Sequence, residues 1–230
     1  MKNISKLHTG IILLTTLLFA GCSSTYQGNA PQETAEGLDL KHESRSTLAY
    51  QKPGVNFAEY DKVQIAPSTV AFKKNWKRDY NRGAASLSSK IRDKDIIRIK
   101  ESVAGLLDEV FLEEFSRDNN YPIVKQASEG TLLIRPAIIN LDVNAPDISS
   151  ATPRKTLTND SGSATLYLEL YDAVSGEILA RIIDSQVAGD RGYYQWSNRV
   201  TNRADAKRII RSWAQTLRSK FDETHQSNKK

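Results

Sequence analysis

Ser163-Ala164-Thr165-Leu166-Tyr167-Leu168-Glu169-Leu170-Tyr171-Asp172-Ala173 alternates with a period of two. Leu166, Leu168 and Leu170 fall on one side, and Tyr167, Glu169 and Tyr171 on the other. Successive side chains of a strand point to opposite faces, so the spacing predicts a strand with one buried and one partly solvated face. Ser175-Gly176 supplies a hairpin turn, and residues 177–187 return as the partner strand.

Working outward, residues 131–143 are rich in Leu, Ile and Val and predict a longer strand. Pro136 interrupts it, and a proline cannot donate to a ladder, so an edge or a bulge is expected there. Residues 60–72 carry Val63, Ile65, Val70 and Phe72 at strand-like spacing, and residues 121–125 read as a short strand. Two segments change period. In residues 95–116, Ile99, Val103, Leu106, Leu107, Val110 and Phe111 recur at helical spacing. In residues 202–224, Ala206, Ile209, Ile210, Trp213, Leu217 and Phe221 form a second stripe, with Thr201 or Asn202 as N-cap. Grouped strands with two amphipathic helices predict an α+β domain: a mostly antiparallel sheet of four to five strands, both helices on one face.

The N-terminus predicts a location. Lys2 and Lys6 precede an apolar run over residues 11–20, which is too short to span a bilayer. The run ends in Leu18-Phe19-Ala20-Gly21-Cys22, and Cys22 is the only cysteine of the 230 residues. The pattern resembles a bacterial lipoprotein signal, with Phe19 where Leu is usual. The resemblance implies residues 1–21 as signal peptide, acyl chains on Cys22, and retention at the periplasmic face of the outer membrane because Ser23 follows the cysteine. Residues 22–46 are polar and small, predicting a flexible tether with a reach of roughly 25–30 Å. Residues 47–226 would be a single domain. Loss of Lys2 and Lys6 leaves 30 basic and 27 acidic residues, a net of +3, too slight to argue for nucleic acid.

Catalytic signatures are absent. His8 lies in the signal, His42 in the tether and His225 near the C-terminus, so a Ser-His-Asp arrangement has no base. Cys and His at metal-ligand spacing are missing, as are Gly-rich phosphate loops and HExxH. The expectation is a non-enzyme without metal or cofactor. Two surface stretches are candidate partner sites. Lys73, Lys74, Trp76, Lys77, Arg78, Tyr80 and Arg82 carry five positive charges against Asp79, which suits an anionic lipid, a glycan or an acidic partner. Arg191, Tyr193, Tyr194, Trp196 and Arg199 combine aromatics with Arg, as interface hot spots do. The loop over residues 144–161 is long enough to be functional or disordered.

Two motifs are similar to an uncharacterised bacterial lipoprotein family, domain of unknown function 3313. They are Tyr50-Gln51-Lys52-Pro53-Gly54-Val55-Asn56-Phe57-Ala58-Glu59-Tyr60-Asp61-Lys62-Val63 and Tyr171-Asp172-Ala173-Val174-Ser175-Gly176-Glu177-Ile178-Leu179-Ala180, with Asp184 beyond. Ser175 stands where that family's turn usually has Thr. The motifs are structural and import no activity. Anchor, tether and missing catalytic groups together predict an accessory module that binds a periplasmic or outer-membrane protein. The basic-aromatic stretch keeps open a binder or carrier of an anionic or amphipathic envelope molecule.

Overall fold

The computed structural model describes residues 30–84, 86–144, 146, 156–158, 161–188, 195–197 and 199–227. In chain order these form β1 (Asp39–Glu43), β2 (Thr47–Gln51), β3 (Lys62–Ile65), β4 (Thr69–Phe72), α1 (Trp76–Arg82) and α2 (Asp93–Ser116). Then come β5 (Thr131–Val143), β6 (Thr156–Thr158), β7 (Gly162–Asp172), β8 (Ile178–Ala188), β9 (Gln195–Ser197) and α3 (Arg199–Ser227).

The class is α+β, but the sheet corrects the expectation of four to five mostly antiparallel strands with two helices. Among the described residues it is a seven-stranded mixed sheet in the order β1-β2-β8-β7-β5-β3, with β4 also on β5, accompanied by three α-helices. Both β3 and β4 run parallel to β5. The physical reason is the intervening helical segment: α1 and α2 carry the chain back, and parallel neighbours need such a crossover. Residues 121–125 add a single bridge, Ile123 to Val63, instead of a strand.

Pro136 is buried in the interior strand β5, opposite Leu168 on β7. On its other side β3 stops and β4 has not begun. The Ala66 N–H donates to the Ile134 carbonyl over 2.9 Å, and the next parallel rung needs a donor from residue 136. Proline has none, so the neighbouring strand is split in two at that point.

The hairpin is made locally. The Asp172 carboxylate accepts from the Val174 and Ser175 amides, and Gly176 takes φ 72°. Beyond it, Leu166, Leu168 and Leu170 meet Leu132, Ile134 and Ile138 on the helix side. There α2 adds Leu107, Val110, Phe111 and Phe115, and α3 adds Ile210, Trp213, Ala214 and Phe221. Fully burying one such side chain stabilises the fold by about 1.5–3 kcal/mol.

The expected tether is partly fold. Residues 30–38 turn back beside β1, and Ala30 and Leu38 pack on Tyr50, Leu40, Leu48 and Ile178. Tyr50 sits opposite Arg181, and Arg181 opposite Glu169, so this small cluster lies on the sheet face away from the helices. Polar composition hid the segment because β1, Asp39-Leu40-Lys41-His42-Glu43, is an edge strand with charged side chains.

Candidate functional site

Cys22, Tyr193 and Tyr194 lie outside the described residues. Trp196 is in β9, where its backbone pairs with Leu157 of β6. The long loop and the second aromatic stretch are therefore joined in one two-stranded sheet.

The first basic stretch, expected at the surface, is largely the helix α1. Trp76 opens α1 and is only 6% exposed. Its ring stacks on Phe72 at 4.2 Å and lies 5.7 Å from Tyr80. Trp76 and Tyr80 stand four apart, a helical spacing that the surrounding charges obscured. Most of those charges have partners: Lys73 with Asp142 at 3.0 Å, Lys77 with Asp93 at 2.6 Å, and Arg78 and Arg82 with Asp79. Lys74 is exposed. Trp76 thus belongs to a side core with Ile91, and little of its ring is open to solvent.

Two arrangements that the sequence reading missed are more organised. The first crosses the sheet face away from the helices. Arg181 donates to both oxygens of Glu36 at 2.9 and 3.2 Å, and to Glu169 at 2.8 and 3.1 Å. Its guanidinium lies 5.6 Å from the Tyr167 ring centre. The Tyr171 hydroxyl donates to Glu169 over 2.8 Å and accepts from Arg135 over 3.3 Å. Hydrogen bonds from Arg181 hold the Glu36 carboxyl down at about 2. Burial alone would push Glu169 up, but hydrogen bonds from Tyr171 and Arg181 outweigh it and the net shift is downward. Burial, with the Glu169 charge and hydrogen bond beside them, pushes both Tyr167 and Tyr171 up. The result is a pre-ordered band of two tyrosines, two arginines and two carboxylates. Its sequence signal was the cross-strand pair Glu169–Arg181, on the same face as Tyr167 and Tyr171.

The second is a cavity of about 820 Å³ between the N-terminal halves of α2 and α3 and the ends of β5 and β7. Ile99 and Val103 of α2, Ile138 and Leu141 of β5, and Ile209 and Trp213 of α3 form its walls. Arg98, Arg203 and Lys207 stand in its lining. Ser102 lies exposed in the same lining. Among the described residues no group of His, Cys, Asp or Glu is placed to hold a metal ion, and no helix is long and apolar enough to cross a membrane.

These features define a mixed-sheet α+β domain with an ordered open face and an apolar cavity under its helices. The chain belongs to the family described as "Protein of unknown function (DUF3313)", whose model matches residues 36–217. No curated protein matches the chain. Among solved structures it is similar to the PelC dodecamer from Paraburkholderia phytofirmans, at 12% identity and TM-score 0.31 over 71% of this chain and 93% of that one. Protein XCC0632 from Xanthomonas campestris, of family DUF330, aligns at 8% identity and TM-score 0.39 over 78% and 93%. A PDZ domain protein from Parabacteroides distasonis aligns at 11% identity and TM-score 0.36, over 73% of this chain and 33% of that one. Likenesses at this level carry no argument for function.

Proposed function

We propose that the chain is a lipid-anchored, non-enzymatic accessory module of the cell envelope, held by Cys22 at the periplasmic face of the outer membrane. It presents the Tyr167–Tyr171–Arg135–Arg181 face to an envelope protein. The observation that carries this reading is where the N-terminal segment packs. Ala30 and Leu38 lie on the same sheet face as Arg181, and Glu36 binds Arg181 itself. Seven residues separate Ala30 from Cys22, so the anchor and Ala30 stand no more than about 29 Å apart. That distance keeps the Tyr–Arg face near the membrane where a partner would be met. Tyr and Arg side chains already fixed by neighbours lose little freedom on docking, which favours binding.

The test uses the full chain in its membrane. A photo-crosslinking residue in place of Tyr171 is compared with one in place of Leu112, exposed on α2. A distinct adduct from position 171, absent from 112 and lost when Arg135→Glu is added, supports the reading. No adduct, or the same adducts from both positions, overturns it. Cys22→Ser tests the anchor separately: the protein should leave the membrane fraction, and retention there would refute lipidation.

A further inference from the structure

We propose that the cavity between α2, α3 and the sheet binds an anionic single-chain amphiphile, a fatty-acid anion being the simplest. The hydrocarbon chain would lie among Ile99, Val103, Ile138, Leu141, Ile209 and Trp213, with the head group on the basic side of α3. This site is separate from the Tyr–Arg face and does not depend on it or on the anchor.

The first argument is volume and lining. The space is a half-open cleft of about 820 Å³, within the range of small-molecule sites, roughly 300–1,000 Å³. Its walls come from three elements that each contribute aliphatic side chains, so water is a poor occupant and hydrocarbon a good one.

The second argument is charge. A second, more open recess of about 450 Å³ shares Ala204 and Lys207 with the cavity. It is lined further by Arg208, Arg211, Ser212 and Gln215. Apolar space and basic space therefore adjoin along one helix, which is the polarity of an anionic amphiphile. Arg203, Lys207 and Arg211 share two carboxylates of α2, Glu109 and Glu113, at 2.7–3.6 Å. Three cations against two carboxylates leave one positive charge. These pairs are solvent-exposed, and such pairs contribute about 0–1 kcal/mol each, so an incoming anion can exchange with them. Arg208 is paired with Asp205, Arg98 with Asp95, and Asp142 with Lys73, so none of these carboxylates adds free negative charge to the lining.

The probe is cis-parinaric acid, a polyene fatty acid that accepts excitation from tryptophan. It is titrated into the full chain carrying Cys22→Ser, which takes no acyl chain of its own. Saturable binding near one per chain, with quenching of Trp213, is expected. Stearate and a lysophosphatidic acid then compete, and the stronger competitor separates a free fatty acid from a phosphate-headed one. Ala206→Phe fills the cavity and should weaken binding at least tenfold. Ser102→Trp, from an exposed position, should do the same if Ala206→Phe does not fold. Lys207→Glu with Arg211→Glu should weaken the acid at least fivefold and leave a fatty alcohol unchanged. No saturable binding, or binding unaffected by both blocking variants, overturns the site. Equal loss of acid and alcohol in the charge variant overturns the head-group assignment.

Discussion

The Trp213 indole Nε1 donates to Oδ2 of Asp184 over 2.6 Å, with both residues 7% exposed. The same carboxylate accepts from the Thr47 hydroxyl and, over 2.8 Å, from Gln186 Nε2. Asp184 thus ties β8 to β2 on one side and to α3 on the other. No cation is needed because three donors satisfy it. The position beyond the hairpin is therefore a structural knot.

Asp184→Ala should destabilise the domain by about 2–4 kcal/mol, since it leaves the buried Trp213 N–H and the Thr47 hydroxyl without an acceptor. Asp184→Asn keeps one acceptor oxygen and should lose less. Urea midpoints of the two variants at neutral pH make the comparison. Equal losses would mean that packing, and not the hydrogen bonds, sets the cost.

Gly162 opens β7 at φ 130°, and a Cβ there would stand 2.0 Å from the Asp142 carbonyl oxygen. The close approach follows from β5, where Asn140 takes φ 53° and the β5–β7 register shifts between Ile139 and Asp142. Gly162→Ala should cost about 2 kcal/mol or more, from backbone strain plus the clash. Gly105, with no atom near its would-be Cβ and on α2, is the control. Gly105→Ala should raise stability by about 0.5–1 kcal/mol through helix propensity. Thermal melts of both variants check the contrast.

The Glu36–Arg181 pair sets a pH dependence. Arg181 lowers the Glu36 carboxyl from 4.5 to about 2 in the folded protein. A lowered carboxylate adds stability that is fully present above the unfolded value and is lost as pH falls through the folded one. The contribution should therefore disappear between about pH 4.5 and 2. Glu36→Gln should melt below the parent at pH 7 and approach it near pH 2. Because Glu36 is solvent-exposed, the gap at pH 7 should also shrink in high salt. A gap that is constant across the range would remove the ion pair from the account.

The hairpin, β5 and both long helices were legible because their periods are strong and uninterrupted: Leu166, Leu168 and Leu170 at two, Ile99 to Phe111 at helical spacing. Alternation reports which face is buried, however, and not the direction of the neighbour. That is why the parallel pairing of β3 and β4 was missed. Trp76 illustrates a different limit, because five surrounding charges gave a surface reading to a ring that packs on Phe72. The Arg181–Glu36 contact joins residues 145 apart, and no local pattern encodes it. The cavity was illegible in principle, being space left between elements. Its basic margin, Arg203, Lys207, Arg208 and Arg211, is visible as charge, but the α3 stripe beside it reads as ordinary core and does not disclose the space left against α2.

Arg218 makes the last prediction, because it is 2% exposed and its Nη1 fastens α3 to the end of α2. Its Nη1 donates to the Glu114 carbonyl at 2.9 Å and to the Arg117 carbonyl at 3.2 Å. Those carbonyls belong to the last turn of α2 and its exit, where helices lack internal donors. Its Nε meets Asp222 at 3.0 Å, and its guanidinium lies 4.8 Å from the Tyr121 ring centre. Tyr121 in turn donates its hydroxyl to Asp222 over 2.8 Å. Arg218→Met preserves bulk but removes the guanidinium donors, and because Asp222 is 30% exposed the loss should fall below the cost of about 3–5 kcal/mol for breaking a fully buried pair. Arg218→Lys restores charge without the planar fork and should recover only part of the loss. If instead Arg218→Met and Arg218→Lys unfold at the same urea concentration, the guanidinium's geometry is irrelevant. Hydrogen exchange distinguishes the two directly: amides of residues 111–117 should open faster in Arg218→Met than those of the β7–β8 hairpin, since the clamp acts on the end of α2 and leaves the hairpin's own turn intact.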